Sequence, residues 1–301
     1  MSQPLPRVMS KSPMRVAEQA LEVARQSLPP YSATHSPKKF TQHQLFAIAA
    51  LRQFFRTDFR GIVAILADST DLCRLLQLDE LPHFSTLHYA ERRLFKGAFN
   101  RLLAAMVLIA RASRLLPKRS RAAIDATGLE SRHVSRYYVW RLGGRHSRLA
   151  YPKLTIVCDL KTHLWLSAFV CMGPCQDSPQ FTPAVEAAVR NQPIDELLGD
   201  KGYDAEHNHR LCRERLGIRS TVIAVRRNTN GTRIWPATPY RREMKSSRTR
   251  AGYGQRWQIE SSFSRHKRIL GPALRARSWS MQQWECLLRV LTHNLMILAA
   301  A

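Results

Sequence analysis

A lone carboxylate surrounded by cations is the arrangement most capable of chemistry in this sequence. It lies in Tyr253–Lys267, YGQRWQIESSFSRHK, with Tyr253, Arg256, Glu260 and Lys267 as its polar members. An α-helix turns about 100° per residue, which puts Arg256, Glu260 and Lys267 at roughly 300°, 340° and 320° from Tyr253. All four then project from one face if the helix starts as early as Tyr253; the flanking Gly252 and Gly254 leave that start open. Ile259, Phe263 and Leu270 form an apolar stripe beside that face, by which the helix can dock. An exposed helix with ordinary i,i+4 charge pairs is the plain alternative. One acid among Arg256, Arg265, Lys267 and Arg268 is more than such pairing needs, and it points to a carboxylate working on something anionic.

Two upstream stretches answer it: Arg121-Ala-Ala-Ile-Asp125-Ala-Thr-Gly128 and Glu196-Leu-Leu-Gly-Asp200-Lys-Gly-Tyr-Asp204. Each is a short apolar run ending in aspartate, the pattern of a buried strand whose last residue emerges at a sheet edge. Carboxylates at strand ends, with another on a helix, gather the hard oxygen ligands that magnesium prefers. Alone, either aspartate reads as a strand-end turn former.

Together these residues resemble the DDE transposases of bacterial insertion sequences, in the group whose third acid sits in a Y-R-E-K signature. The signature's spacing is met without a gap at Tyr253, Arg256, Glu260 and Lys267, and Asp200-Lys-Gly-Tyr-Asp204 is similar to the context of the second acid. The likeness runs from Arg121 to about Asn294. It implies Asp125, Asp200 and Glu260 as catalytic metal ligands for two Mg²⁺ ions, with Mn²⁺ able to substitute. Tyr253, Arg256, Lys267, Arg265 and Arg268 would contact DNA. The implied reaction is cleavage at the terminal inverted repeats of a mobile element and joining to target DNA, by a chain that is a homodimer when assembled on DNA. The implied location is the bacterial cytoplasm, at the nucleoid. A nuclease limited to hydrolysis, or a domesticated DNA-binding protein with a spent site, are the competing functions. Trp140 or Trp235 could stack an extruded base, though a core tryptophan explains either as well.

The elements that must position these residues can be read in order. Residues 1–40 hold six prolines and six basic residues and read as a partly disordered tail, with one short helix around Met14–Ser27. From Thr41, an N-cap with Gln44 completing a capping box, the pattern is helical. Further helices are expected at Gly61–Ala67, from the Asp68/Ser69 cap to Leu76, and from Ser85 to about Leu116. Residues 41–117 are therefore an all-helical N-terminal domain, which the resemblance assigns to DNA binding. Residues 118–301 form the second domain. Strands are expected at Ala122–Ala126, Leu154–Asp159, Trp165–Cys171, Leu197–Asp200 and Thr221–Val225, with helices at Pro179–Val189 and Ala205–Leu216. The order β-β-β-α-β-α-β-α is that of an α/β, ribonuclease H-like mixed sheet flanked by helices. Asp177 and Asp204 read as helix starts, and His266 falls toward the packed side of its helix.

Charge narrows the partner. The 301-residue chain has 47 basic and 22 acidic residues, a net charge of +25. Arg219–Arg277 alone carries fifteen basic and two acidic residues, including a basic insertion at about 226–252 that leads into the Glu260 helix. A field of that size fits a polyanion, most simply double-stranded DNA; no amphipathic anchor helix supports a membrane surface instead. The six cysteines are scattered, as in reduced thiols rather than a disulfide framework, and Cys171-x3-Cys175 lacks the second ligand pair that zinc needs. The basic start has no apolar core of a signal peptide, and no apolar run approaches the roughly 20 residues of a membrane span.

Overall fold

The computed structural model describes residues 9–33, 35, 38–131, 150–226, 236–245 and 252–301. They divide into two compact units: Leu116–Leu129 with Arg136–Arg265, and Met1–Leu115 with Glu130–Ser135 and His266–Ala301.

The second of these is helical. Its first helix, α1 (Pro13–Ser27), starts where the Ser12 hydroxyl accepts the Arg15 N–H at 3.3 Å, with Pro13 at the first position. Val16, Ala17, Ala20, Leu21, Val23 and Ala24 are buried along it. Much of the expected tail is therefore packed structure: the prolines flank the helix, and the apolar spacing between them decides the outcome. The capping box at Thr41 is present at the head of α2 (Gln42–Phe54), with Gln44 N–H to Thr41 Oγ1 at 3.1 Å and Thr41 N–H to Gln44 Oε1 at 2.8 Å. Asp58 caps α3 (Phe59–Ala67) through the Gly61 N–H, starting it before the expected Gly61. Next come α4 (Thr70–Leu76), α5 (Phe84–Phe95) and α6 (Phe99–Ala112). The single long helix expected from Ser85 is thus two, parted at Lys96–Ala98, where Gly97 has a helix propensity about 1 kcal/mol poorer than alanine.

The α/β unit is built on β1 (Ser120–Gly128), after which the two-residue β2 (Glu130–Ser131) belongs to the helical unit. It continues with β3 (Tyr151–Asp159), β4 (Trp165–Gly173), α7 (Ser178–Asn191), β5 (Ile194–Gly199), α8 (Glu206–Arg210) and β6 (Ser220–Ile223). A π turn at Leu211–Arg215 prolongs α8. The sheet order is β4-β3-β1-β5-β6, with β1/β3 and β3/β4 antiparallel and β1/β5 and β5/β6 parallel. This is the ribonuclease H-like arrangement. All of β3 after Tyr151 is buried, as expected for a strand covered on both faces. Leu160–Leu164 makes the expected hairpin between β3 and β4. The described part of the basic insertion contains α9 (Pro239–Glu243), and α10 (Trp257–Leu270) carries Glu260.

After α10, β7 (Ala273–Leu274) pairs with β2, and α11 (Trp279–Leu298) closes the chain. The second domain is expected over 118–301; His266–Ala301 packs in the helical unit. Leu288, Val290, Leu291, Leu295, Met296 and Ile297 are all buried, and a helix apolar around its circumference needs helices on every side. The same core encloses two ion pairs, Arg52–Glu91 at 2.7 Å and Arg289–Glu285 at 2.6 Å. Burial pushes the Glu91 carboxyl up, with Arg52 opposing it. Among the described residues no helix is long and apolar enough to cross a membrane.

Candidate active site

The strand register brings two of the acids together. Ile124 of β1 pairs with Gly199 of the parallel β5. The next residues are Asp125 and Asp200: Asp200 follows the last residue of β5, and Asp125 stands beside it in β1, which runs on to Gly128 against β3, so the two lie on neighbouring strands about 4.8 Å apart in the pairing direction. In an open α/β sheet, the carboxyl end of the parallel strands is where ligands bind. Asp125 Oδ1 accepts the Ala126 N–H at 2.8 Å.

The third acid arrives on α10, and the helix is fixed by its opposite face. Ile259 is fully buried and Phe263 meets Trp165 edge-on with ring centroids 5.8 Å apart. The Trp165 indole N–H donates to Ser262 Oγ at 2.7 Å, and Gln258 Oε1 lies 3.0 Å from His163 Nε2. With these residues turned to the sheet, Glu260 is left with its side chain 55% exposed. The helix begins later than Tyr253: Gly252, at φ 96°, starts a 3₁₀ turn over Tyr253–Arg256, and α10 proper starts at Trp257. A 3₁₀ turn advances about 120° per residue, so Tyr253 is not on the shared stripe by helical phase. Arg256, at the junction, nonetheless reaches both flanking acids. Its Nη1 donates to Asp125 Oδ2 at 3.2 Å and its Nη2 to Glu260 Oε1.

The electrostatics tie all three acids into one field. Asp125 is pushed up to about 6, chiefly by burial, while the Ala126 N–H and Arg256 oppose the rise and the charges of Asp200 and Glu260 add to it. Burial also raises the Tyr253 phenol, and Asp200 and Asp125 act on it in the same sense. Carboxylates that repel one another while drawing in a guanidinium form a donor set suited to a hard divalent cation. Among the described residues, no three His, Cys, Asp or Glu side chains are gathered closely enough to hold a metal ion as they stand, and between Asp125 and Glu260 the Arg256 guanidinium takes that place.

A metal role for Asp125 would carry a pH dependence. An ion bound there would need Asp125 ionised, and its folded-state value lies above the ordinary carboxylate range. Without metal, the proton-bound fold is favoured: Asp125 contributes stability that is fully present below the ordinary value and lost as pH rises through about 6. Metal affinity moves oppositely. Below pH about 6 it is expected to fall roughly tenfold per pH unit as one proton competes for the site. Calorimetric titration of Mn²⁺ at pH 5, 6, 7 and 8 measures this; a flat affinity across that range would remove Asp125 from the ion's ligands.

Lys267 and Arg268 fall in the helical unit. Lys267 is half-buried, and burial lowers its ammonium while Glu130 partly opposes the shift. Arg268 is exposed. Arg265 is half-buried, with its charge acting on the buried Cys158 thiol. His266 is fully buried, its ring centroid 5.5 Å from that of His293, in keeping with packing. Trp140 and Trp235 lie outside the described residues. Asp204 is not the helix cap expected of it, since Ala205 holds that position. Its carboxylate instead takes the Arg241 guanidinium at 2.7 and 2.8 Å and the Arg226 N–H at 2.9 Å. A charged fork outcompetes a single backbone N–H. Asp177 does precede α7 but makes no side-chain cap there; it pairs with Lys153 at 2.5 Å.

One neighbour was not singled out from sequence. Tyr203 is buried behind Asp200; burial raises its phenol, with Asp177, Asp125 and Asp200 adding to the rise. Its signal was its place in Asp200-Lys-Gly-Tyr-Asp204. The described contacts also fasten α9 beside α8. Glu206 accepts the N–H groups of Tyr240 and Arg241 at 3.2 and 3.1 Å, and Arg213 donates to Glu243 at 2.7 Å.

Residues 116–295 match the family model described as "Transposase DDE domain". Among solved structures, the chain is similar to the piggyBac transposase in a cryo-EM structure of its synaptic complex with hairpin DNA. The identity is 10%, the TM-score 0.48, and the match covers 94% of this chain and 72% of that one. No curated protein matches.

Proposed function

The chain belongs to the family of transposases with a DDE domain, and on that premise we propose that Asp125, Asp200 and Glu260 hold two divalent ions, Mg²⁺ in the first instance and Mn²⁺ as a substitute, for cleaving and joining DNA ends. The substrate of this reading is double-stranded DNA: the terminal inverted repeats of a mobile element of the bacterial insertion-sequence type, and then a target. What supports it most is the emergence of Asp125 and Asp200 side by side, with Glu260 joined to Asp125 through Arg256. Bound there, the ions would activate the attacking water or 3′-hydroxyl and stabilise the charge on phosphate and leaving oxygen.

The chain's own residues orient the phosphate. Arg256, with its planar fork already at the carboxylates, turns to a phosphate oxygen when DNA arrives. Tyr253 hydrogen-bonds the backbone near the cleaved end. Lys267 holds a non-bridging oxygen, while the exposed Arg268 and the half-buried Arg265 add positive charge. Two copies would act together, one at each end of the element.

The test is an incubation of a labelled DNA end carrying the element's terminal repeat with Mg²⁺ and an unrelated plasmid. Cut ends and joined products are expected. Cutting without joining would make the protein a nuclease, and neither product would overturn the reading. The same assay separates the helix residues. Arg256→Lys keeps the charge but loses the fork, and end cleavage should fall about 10- to 100-fold, the worth of a charge-assisted bond of roughly 1.5–3 kcal/mol. Lys267→Ala should weaken cleavage more than total DNA affinity, because many other cations sustain the latter. Wild-type cleavage rates in both variants would reduce this face to an ordinary charged surface.

A further inference from the structure

We infer that Cys171 and Cys175 are a reversible redox pair, a site where mild peroxide forms an intrachain disulfide. The inference stands apart from the transposase reading. The two sulfurs lie 3.1 Å apart as free thiols, about 1 Å farther than in a formed disulfide of ~2.05 Å. Cys171 is near the end of β4, and Cys175 is in the loop that follows it.

That loop is held so that the thiols meet. Lys153 is the cross-strand partner of Cys171. Its ammonium donates to the Cys175 carbonyl at 2.5 Å and forms an ion pair with Asp177 Oδ1 at 2.5 Å. Asp177 in turn abuts Gly202, where an added Cβ would meet Asp177 Oδ2 at 3.2 Å. Closing the bond therefore asks for a small sulfur movement and little backbone reordering. The Lys153 charge draws the Cys171 thiol toward thiolate. Burial pushes Cys171 up to about 11, with Cys175 adding to the rise, so the exposed Cys175 is the first to be oxidised. The remaining thiols are placed differently: Cys158, Cys212 and Cys286 are buried, and Cys73 donates to the Leu66 carbonyl at 3.1 Å.

The chemistry balances with peroxide as the oxidant. Cys175 thiolate attacks one peroxide oxygen, the O–O bond breaks, and the departing hydroxide takes a proton to leave as water. The Cys171 sulfur then attacks the Cys175 sulfenic sulfur. The S–S bond forms, the S–O bond breaks, and the second hydroxide leaves as water with the Cys171 proton. Two thiols lose two electrons and one peroxide gains them.

The reduced full-length protein is treated with hydrogen peroxide, alkylated with N-ethylmaleimide, digested and mapped by mass. Wild type is expected to lose alkylation at Cys171 and Cys175 together, with both in one disulfide-closed peptide and both restored by dithiothreitol. Cys171→Ser should leave Cys175 as a sulfenic acid trapped by dimedone, and Cys175→Ser should leave Cys171 alkylated. The inference is overturned if dimedone traps Cys175 in wild type as fully as in Cys171→Ser. It is equally overturned if Cys175 crosslinks between chains or if both thiols stay alkylatable after treatment.

Discussion

End cleavage by Asp200→Ala is expected to fall by about 10³-fold or more, while affinity for the same DNA stays within a few-fold of wild type. Loss of one ligand from a two-ion site removes several kcal/mol of charge stabilisation at the phosphate, and each 1.36 kcal/mol is a factor of ten in rate. Affinity is unaffected because it comes from basic residues spread over the surface. Asp125→Ala and Glu260→Ala should behave alike, since on the proposed function the three acids act as one donor set and each removal disables it. A gel assay of a labelled end, at fixed Mg²⁺ and saturating protein, separates the two quantities. Undiminished cleavage by Asp200→Ala would take that residue out of the site, and the proximity of Asp125 and Asp200 on neighbouring strands would then be a matter of fold alone.

The second large effect is on salt. With a net charge of +25, and fifteen basic against two acidic residues between Arg219 and Arg277, a DNA complex should release many counterions. If six to ten phosphates are neutralised, affinity drops by about 10³–10⁵ between 50 and 200 mM salt. Fluorescence anisotropy across that range gives the slope directly. A nearly flat response would mean that this charge serves something other than a phosphate track.

Much of this was legible because it is local. An apolar run ending in aspartate needs only strand geometry to place Asp200 just past the end of β5, whereas Asp125 lies within β1, which runs on to Gly128; Thr41 with Gln44 specifies its own cap. The Ile259, Phe263 and Leu270 stripe is buried as its spacing requires. What escaped was decided by partners far along the chain. The Asp204 carboxylate is claimed by Arg241, 37 residues away, and no local pattern announces that. The placement of α11 with the N-terminal helices depends on which apolar faces remain uncovered, which spacing alone does not reveal. The delayed start of α10 turns on Gly252, whose φ of 96° suits a turn and not a helix. The likeness to DDE transposases made the acids readable as a set, whereas Lys153 and Tyr203 came into view only through their neighbours.

On the proposed function, the guanidinium of Arg256, seated between Asp125 and Glu260, makes ion uptake an exchange of cations and not the filling of an empty position. The net affinity for a divalent ion is then the difference between two electrostatic attractions, so Arg256 weakens ion capture for as long as it stays. A DNA phosphate that draws Arg256 away removes that competition and tightens ion binding. By thermodynamic reciprocity the ion, by freeing Arg256, tightens the grip on phosphate by the same factor. A resting chain would thus hold metal loosely, and the site would become fully charged for reaction only where a DNA end is already in place.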